Sequence, residues 1–199
     1  MRSTKSHGKR QYRLGQRAEA AGQTRQRIIE ATLSVHDERG ITRATVRDVA
    51  SRADVAPSTV LHHFPRMDDL IQACGELADA LAPMPSSADL GPTADSATRV
   101  QRMTAVLFEW WDQLGDGWDH LQIDRRTLPR VDEWLRDVAH RHRALVASAL
   151  RDAGPTEVEL VTALTTRGVW RSLRDSGTST TAAAQQVAAL INQRQEKVH

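Results

Sequence analysis

Residues 44–64, ATVRDVASRADVAPSTVLHHF, contain two short helical patterns joined by only three residues. Thr45 and Asp48 have the spacing of a capping pair at the start of the first helix. Apolar residues of that helix recur at the i, i+3, i+4, i+7 interval of a buried face: Val46, Val49, Ala50 and Ala53. Pro57 suits the first turn of the second helix, where its missing N–H costs no hydrogen bond. Helices this short are stable only when they pack, so this segment predicts a compact helix-turn-helix unit.

The second helix of this segment has an apolar side and a polar side. Val60 and Phe64 are four residues apart, so both are predicted to face the core and to anchor the helix there. Its other side chains are predicted to face largely towards solvent: Ser58, Thr59, Leu61, His62 and His63. A helix that enters the major groove of DNA needs small or polar side chains of this kind to reach base edges and phosphates. The neighbouring Arg43, Arg47 and Arg52 would supply positive charge for the DNA backbone.

The charge distribution supports a polyanion-binding amino-terminal end. Residues 1–66 hold 13 Lys and Arg against 6 Asp and Glu, whereas residues 67–199 hold 14 against 19. Residues 1–27 alone contribute 8 bases and 1 acid, which a solvated basic tail would also explain. The case for DNA binding therefore depends on residues 28–64.

Helical periodicity continues through the rest of the chain, with no run of alternating β-branched residues, and predicts an all-α fold. We expect a first helix over residues 24–39, closed by Gly40, and a fourth over residues 67–82 before the Pro- and Ser-rich linker PMPSSADLGPT. Five further helices are predicted near residues 94–114, 118–126, 129–153, 156–175 and 179–195. The predicted domains are a flexible basic arm (1–23), a DNA-binding domain (24–70) and a helical domain (71–199).

Several classes of protein are disfavoured by what the sequence lacks. No apolar run approaches the roughly 18 residues needed to cross a bilayer, and the basic amino terminus has no apolar segment after it. The single cysteine, Cys74, fits a reducing compartment, so we expect a cytoplasmic protein. No HExxH, GxSxG, P-loop or GxGxxG motif is present, and His140 and His142 do not share a helix face. We therefore expect no enzyme activity, no metal site and no cofactor.

Residues 24–70 resemble the DNA-binding domain of the tetracycline-repressor (TetR) family of bacterial regulators. The resemblance is carried by IIEATLSVHDERG, TVRDVASRADV, APSTVLHHF and MDDLI, in register and without insertions, over about a quarter of the chain. It implies a three-helix DNA-binding domain followed by a helical ligand-binding and dimerisation domain. The DNA-contacting residues that it implies are Thr45 and Arg47 near phosphate, and Pro57, Ser58, Thr59, Leu61, His62 and His63 on the recognition helix.

The chain departs from the family pattern at four positions. The turn glycine is replaced by Asp54, the serine N-cap by Ala56, a backbone-contacting tyrosine by Leu61 and a lysine by Met67. Each change removes a cap or a phosphate contact. We expect the arginine-bearing arm before residue 25 to compensate by tracking the minor groove.

Apolar stripes in the second domain suggest two further sites. The resemblance implies an effector pocket, for which the candidates are Met103, Leu107, Trp110, Trp111, Trp134, Val138, His142 and Trp170. The last two predicted helices carry small and apolar residues suited to a dimer interface: Leu160, Val161, Leu164, Gly168, Ala184, Val187, Ala188 and Ile191. The alternatives are that the tryptophans simply fill a core and that the last helices pack within one chain.

The resulting functional hypothesis is a homodimeric, ligand-responsive transcriptional repressor that binds a palindromic double-stranded DNA operator. Its effector is expected to be an apolar or aromatic small molecule. The alternatives are a DNA-binding dimer that responds to no ligand and a transcriptional activator.

Overall fold

The computed structural model describes residues 5–92 and 95–196, and side-chain surroundings from residue 15 onward. All its regular structure is helical, which confirms the all-α prediction for this part of the chain. The helices are α1 (Lys5–Arg39), α2 (Val46–Arg52), α3 (Pro57–His63), α4 (Met67–Leu81), α5 (Ser96–Gln113), α6 (Gly117–Asp124), α7 (Pro129–Leu150), α8 (Pro155–Leu164), α9 (Arg167–Asp175) and α10 (Thr180–Glu196). A short 3-10 turn, Ser87–Leu90, precedes α5.

The chain divides into two compact units, and the first ends at Leu81. In this unit α1 packs against α2 and α4, and α2 packs against α3. The core side chains come from all four helices: Ile28, Ile29, Ala31, Val49, Ala50, Ala53, Val60, Phe64, Leu70 and Ala73. The apolar positions that the sequence assigned to the inner faces of α2 and α3 are buried here, except that Val46 is only partly buried.

The first helix is much longer than the sequence predicts. The pattern favours a flexible arm over residues 1–23 and a helix from about Thr24, but α1 begins at Lys5. Residues 1–4 of the predicted arm lie outside the described residues. Polarity suggests disorder, yet residues 16–23, QRAEAAGQ, are mostly strong helix formers, and the chain has no proline before Pro57 to stop a helix that the core nucleates at Ile28.

The boundary between the units also differs from the prediction. The sequence places it between residues 70 and 71, whereas the structure places it after Leu81. The reason is that α4 continues past Leu70 and packs against α1, so that Ala73 and Cys74 are buried with the first unit. In the same contact, Nδ1 of the buried His36 lies 3.6 Å from Sγ of Cys74.

The second unit, Ala82–His199, has its own apolar core. α10 packs along α5, and α7 packs against both α5 and α8. The helix predicted over residues 156–175 is divided at Thr165 and Thr166, because Thr166 has an extended backbone and begins α9. None of the described helices is both long and apolar enough to span a membrane.

Candidate nucleic-acid interface

The start of α2 is fixed by a complete capping box, as the sequence predicted. The hydroxyl of Thr45 accepts a hydrogen bond from the Asp48 N–H at 3.2 Å, and the Thr45 N–H donates to the Asp48 carboxylate at 3.0 Å. The Thr45 hydroxyl also donates its proton to that carboxylate, at 2.7 Å. These hydrogen bonds, with the nearby Arg39, hold the pKa of Asp48 below its usual value. The cap orients α2 against α1 and so positions the turn that follows.

The turn between α2 and α3 carries two of the departures from the family pattern. Asp54, where the family has glycine, has φ of +52°, which is the left-handed region that glycine enters without strain. Aspartate is one of the few other residues that tolerate this region. At the start of α3, Ala56 occupies the N-cap and provides no side-chain hydrogen bond, while Pro57 follows in the first turn. The turn therefore adopts a left-handed conformation at Asp54 without glycine, and α3 begins without a side-chain cap.

The outward face of α3 is built by the residues that the sequence proposed. Val60 is fully buried and Phe64 is 2% exposed, which turns the opposite side of the helix to solvent. Ser58 and His62, one helical turn apart, are exposed, and Leu61 beside them is 48% exposed. Thr59 and His63 are half-buried on one flank, and the rings of His62 and His63 meet edge to face at 5.5 Å. The result is a short, mostly polar surface with one apolar side chain at its centre.

A residue that sequence reasoning did not select supports the end of α3. The guanidinium of Arg25, on α1, lies over the Phe64 ring, 4.8 Å from its centre. This cation–π contact covers the outer side of the ring that anchors the recognition helix. No local spacing signals the contact, because the two residues are far apart in sequence.

The arginines around α3 do not share one role. Arg43 and Arg47 are exposed and have no salt bridge to a described residue. Their guanidinium groups are therefore accessible, as the sequence predicts. Arg52 differs from the prediction, because its guanidinium bonds Ser34 and forms a 2.8 Å salt bridge with Glu38 on α1. Arg39 likewise pairs with Asp48 at 2.8 Å. Arg43 and Arg47 therefore leave their positive charge exposed, whereas Arg52 links α2 to α1.

The residues proposed for an effector pocket do converge, but as a packed core. Met103, Leu107, Trp110 and Trp111 come from α5, Trp134, Val138 and His142 from α7, and Trp170 from α9. All are buried except Trp134, which is half-buried. The ring centres of Trp110 and Trp111 are 4.6 Å apart. The pocket prediction did not include Trp118, whose ring centre lies 5.0 Å from that of Trp111 and 6.0 Å from that of Trp134. This packing agrees with the alternative that the tryptophans fill the core.

His142 anchors a small polar network inside that core. The hydroxyl of Thr165 donates to the carbonyl of Val161 at 2.9 Å, so at 2.8 Å it must accept from Nε2–H of His142. Trp111 Nε1–H donates to the Thr165 carbonyl at 3.0 Å. Burial lowers the pKa of His142 from its ordinary 6.5 to about 4, and the ring is neutral at physiological pH. The network joins α5, α7 and the break between α8 and α9.

Five of the eight residues proposed for the dimer interface are corrected by the structure. Val161 on α8, and Ala184, Val187, Ala188 and Ile191 on α10, are buried within the core of a single chain. They face inward because α10 packs along α5 and α8 along α7. Of the other three, Leu160 and Leu164 are half-buried and Gly168 is exposed.

Comparison with known proteins agrees with this geometry. A family model described as bacterial regulatory proteins, tetR family, matches residues 28–74. The HTH-type transcriptional regulator BetI of Cronobacter sakazakii (strain ATCC BAA-894) is 32% identical over 87 residues, which span 41% of each protein. The alignment thus covers less than half of that relative.

Solved structures resemble a larger part of the chain. A transcriptional regulator from Rhodococcus sp. Rha1 covers 85% of this chain and 96% of its own, with a TM-score of 0.63 and 22% identity. The multidrug binding protein EbrR, solved with imidazole and with malachite green, has a TM-score of 0.57 and 24% identity in both structures. Each covers 85% of this chain and 93% or 96% of its own. At these identities the likeness concerns the fold.

The fold and the site together define a helix-turn-helix DNA-binding protein with an appended helical domain. The capped α2, the left-handed turn and the anchored α3 are the parts that the matched family model covers. Residues 28–74 are therefore similar to the DNA-binding domain of the tetR family of bacterial regulatory proteins.

Proposed function

We propose that this chain is a homodimeric transcriptional repressor that acts in the cytoplasm on a palindromic operator and responds to an aromatic or apolar small molecule. The observation that carries the DNA-binding part is the outward face of α3, which lies opposite the buried Val60 and Phe64. In this mode Ser58 and His62 reach base edges or phosphates, and Leu61 contacts a thymine methyl group. Thr45 and Arg47 at the start of α2 lie against the phosphate backbone.

Selection of bound duplexes from a random DNA pool tests this proposal directly. We expect enriched sites with two-fold symmetry, because a symmetric dimer presents two copies of α3 to two half-sites. The paired change Ser58→Ala and His62→Ala should weaken binding to the selected duplex by at least about 30-fold, because two side chains that recognise bases together supply roughly 2 kcal/mol or more. The matched control, Ser172→Ala with His140→Ala, changes the same residue types at exposed positions of the second unit. Equal affinity of the two paired variants, or no enriched sequence, would refute the proposed interface.

Because five of the residues first predicted for the dimer interface are buried, we propose instead that the interface is the outer side of α8 and α10. Arg194 donates to Glu157 at 3.3 Å, which places the end of α10 near the start of α8. Leu190 lies one turn before Arg194 and is 54% exposed, while Leu160 and Leu164 follow Glu157 at helical spacing and are half-buried. We propose that these three leucines form an apolar strip at a two-fold interface.

Leu190→Glu tests this strip. Two-fold symmetry brings the new carboxylate into the interface twice, so we expect the dimer dissociation constant to rise about 100-fold or more. Sedimentation velocity over a concentration series measures this constant. Ile123→Glu, at a residue that is 57% exposed on α6, is the matched control and should leave dimerisation unchanged. A Leu190→Glu protein that remains as dimeric as the control excludes the strip as the interface.

For the effector, we propose the edge of the tryptophan cluster where Trp118 and Trp134 are half-buried. EbrR, a structural neighbour, was solved with malachite green, an aromatic ligand, which supports an aromatic effector class here. Ligand binding that changes the spacing of the two α3 helices would weaken DNA binding, and by linkage DNA would weaken ligand binding equally.

A second candidate function is a DNA-binding dimer that needs no ligand. The close packing of the proposed pocket residues favours it, since Met103 and Leu107 have no exposed surface. A thermal-shift screen with aromatic compounds separates the two candidates, because a true effector stabilises the folded state by mass action.

A further inference from the structure

The amino-terminal part of α1 extends beyond the apolar core of the first unit. Residues 5–23 continue α1 beyond Ile28, the first residue of the buried core, for about 28 Å. All side chains from residue 15 to residue 23 are exposed. We call residues 5–23 the helical arm. Helix stability usually comes from packing, so the exposed residues 15–23 need another source of stability.

The sequence of the helical arm is strongly basic. It holds five Lys and Arg and a single acid, Glu19. Four of the bases recur at intervals of four residues and therefore lie along one row of the helix: Lys5, Lys9, Arg13 and Arg17. This row spans about 18 Å, a length of duplex axis that carries about ten phosphate charges.

The helical arm leaves the domain beside the end of the recognition helix. Arg25, two residues beyond the arm, lies over the ring of Phe64, the C-cap residue of α3. At the other end of α1, Arg39 pairs with Asp48 near the start of α2. α1 therefore runs from the start of α2 past the carboxyl end of α3, and the arm continues from there.

Two features weaken the helical arm in the absence of a partner. Like charges four residues apart repel one another along a helix. Glycine also disfavours helix, and the arm contains Gly8, Gly15 and Gly22. No described atom lies within 4 Å of the place where a Cβ would stand at Gly15 or Gly22, so close packing does not require glycine there. Phosphate groups along the basic row would remove the repulsion and stabilise the helix.

We propose that the helical arm is a second DNA-contacting element, which binds the phosphates of the duplex beside each half-site as a helix. The inference rests on the proposed DNA-binding function and extends its contact surface. It also replaces the expectation that the arm tracks the minor groove, because a helix about 10 Å wide does not fit a groove about 6 Å wide.

The charge of the arm is tested on the full chain with a 40-base-pair duplex of mixed sequence, by fluorescence anisotropy between 50 and 200 mM salt. The triple variant Lys9→Gln, Arg13→Gln and Arg17→Gln should bind at least tenfold more weakly at 50 mM salt. The slope of log K against log salt should become shallower by about 5 for a dimer, because each of its two arms loses three phosphate contacts. Arg126→Gln, Arg143→Gln and Arg174→Gln remove the same charge from exposed positions of the second unit and serve as the control.

The helical conformation of the arm is tested by Gly15→Ala with Gly22→Ala. Alanine favours helix over glycine, so a helical bound state should gain about two- to fivefold in affinity for the same duplex. Hydrogen exchange should show slower exchange of the arm amides in the DNA complex. Unchanged or weaker binding by the alanine variant would overturn the helical mode.

The outcomes separate this inference from the function on which it rests. A wild-type chain that binds no duplex at 50 mM salt overturns both proposals. A wild-type chain that binds while the triple variant and its control have equal affinities and equal salt slopes overturns the role of the arm only.

Discussion

Phe64→Ala is expected to lower the free energy of unfolding of the first unit by about 3–5 kcal/mol. The ring is 2% exposed, so its removal reduces apolar burial and leaves a cavity behind the recognition helix. It also removes the surface over which Arg25 lies at 4.8 Å. Because Phe64 anchors the end of α3, affinity for the selected duplex should fall together with stability.

The positions of the tryptophans allow the unfolding of the two units to be monitored separately. All five tryptophans lie in the second unit, so chemical denaturation followed by tryptophan fluorescence monitors that unit, whereas circular dichroism monitors both. Leu61→Ala, on the 48% exposed side of the same helix, is the control and should change stability by less than about 0.5 kcal/mol. Equal effects of the two substitutions would mean that Phe64 does not anchor α3.

The second large effect concerns pH and the second unit. The pKa of His142 is lowered to about 4 in the folded chain, while the unfolded chain takes up the proton near 6.5. Between these values the unfolded state binds more protons, so the contribution of His142 to stability is greatest above pH 6.5 and falls as the pH decreases towards 4. Between pH 6.5 and pH 4, the titration of His142 should lower the free energy of unfolding by on the order of 3 kcal/mol.

Denaturation at several pH values, followed by tryptophan fluorescence, measures this loss. His142→Gln should remove the contribution of His142, so that its stability falls less steeply than that of the wild type from pH 7 to pH 4. His140→Gln, at an exposed position on the same helix, should keep the wild-type profile. Parallel pH profiles for wild type and His142→Gln would contradict the assignment.

The DNA-binding domain is the part that the sequence predicts best. Thr45, Asp48 and Pro57 act within one or two helical turns, and the structure has their capping box and helix start where the pattern places them. Spacing alone predicts that Val60 and Phe64 face inward, and both are buried. The role of Arg52 has no local signal, since its salt bridge with Glu38 joins two helices whose crossing only the fold determines.

The arm and the last helices show where local patterns become ambiguous. The polar, glycine-containing sequence of the arm is compatible with disorder or with an exposed helix. In the structure the arm is helical, because α1 begins at Lys5. The apolar stripe of α10 correctly predicts a buried face, but the surface that covers it belongs to α5 of the same chain rather than to a second chain. Periodicity identifies the buried side of a helix and contains no information about which surface covers it.

The sequence by itself determined the helical class, the capped helix-turn-helix and its outward residues, because short-range spacing and backbone preferences set these features. Only the tertiary structure decided that the tryptophans of α5, α6 and α7 pack together, that His142 bonds Thr165, and that Arg25 covers Phe64. Those contacts join residues distant in the chain, and their energies depend on burial and distance that no local pattern records.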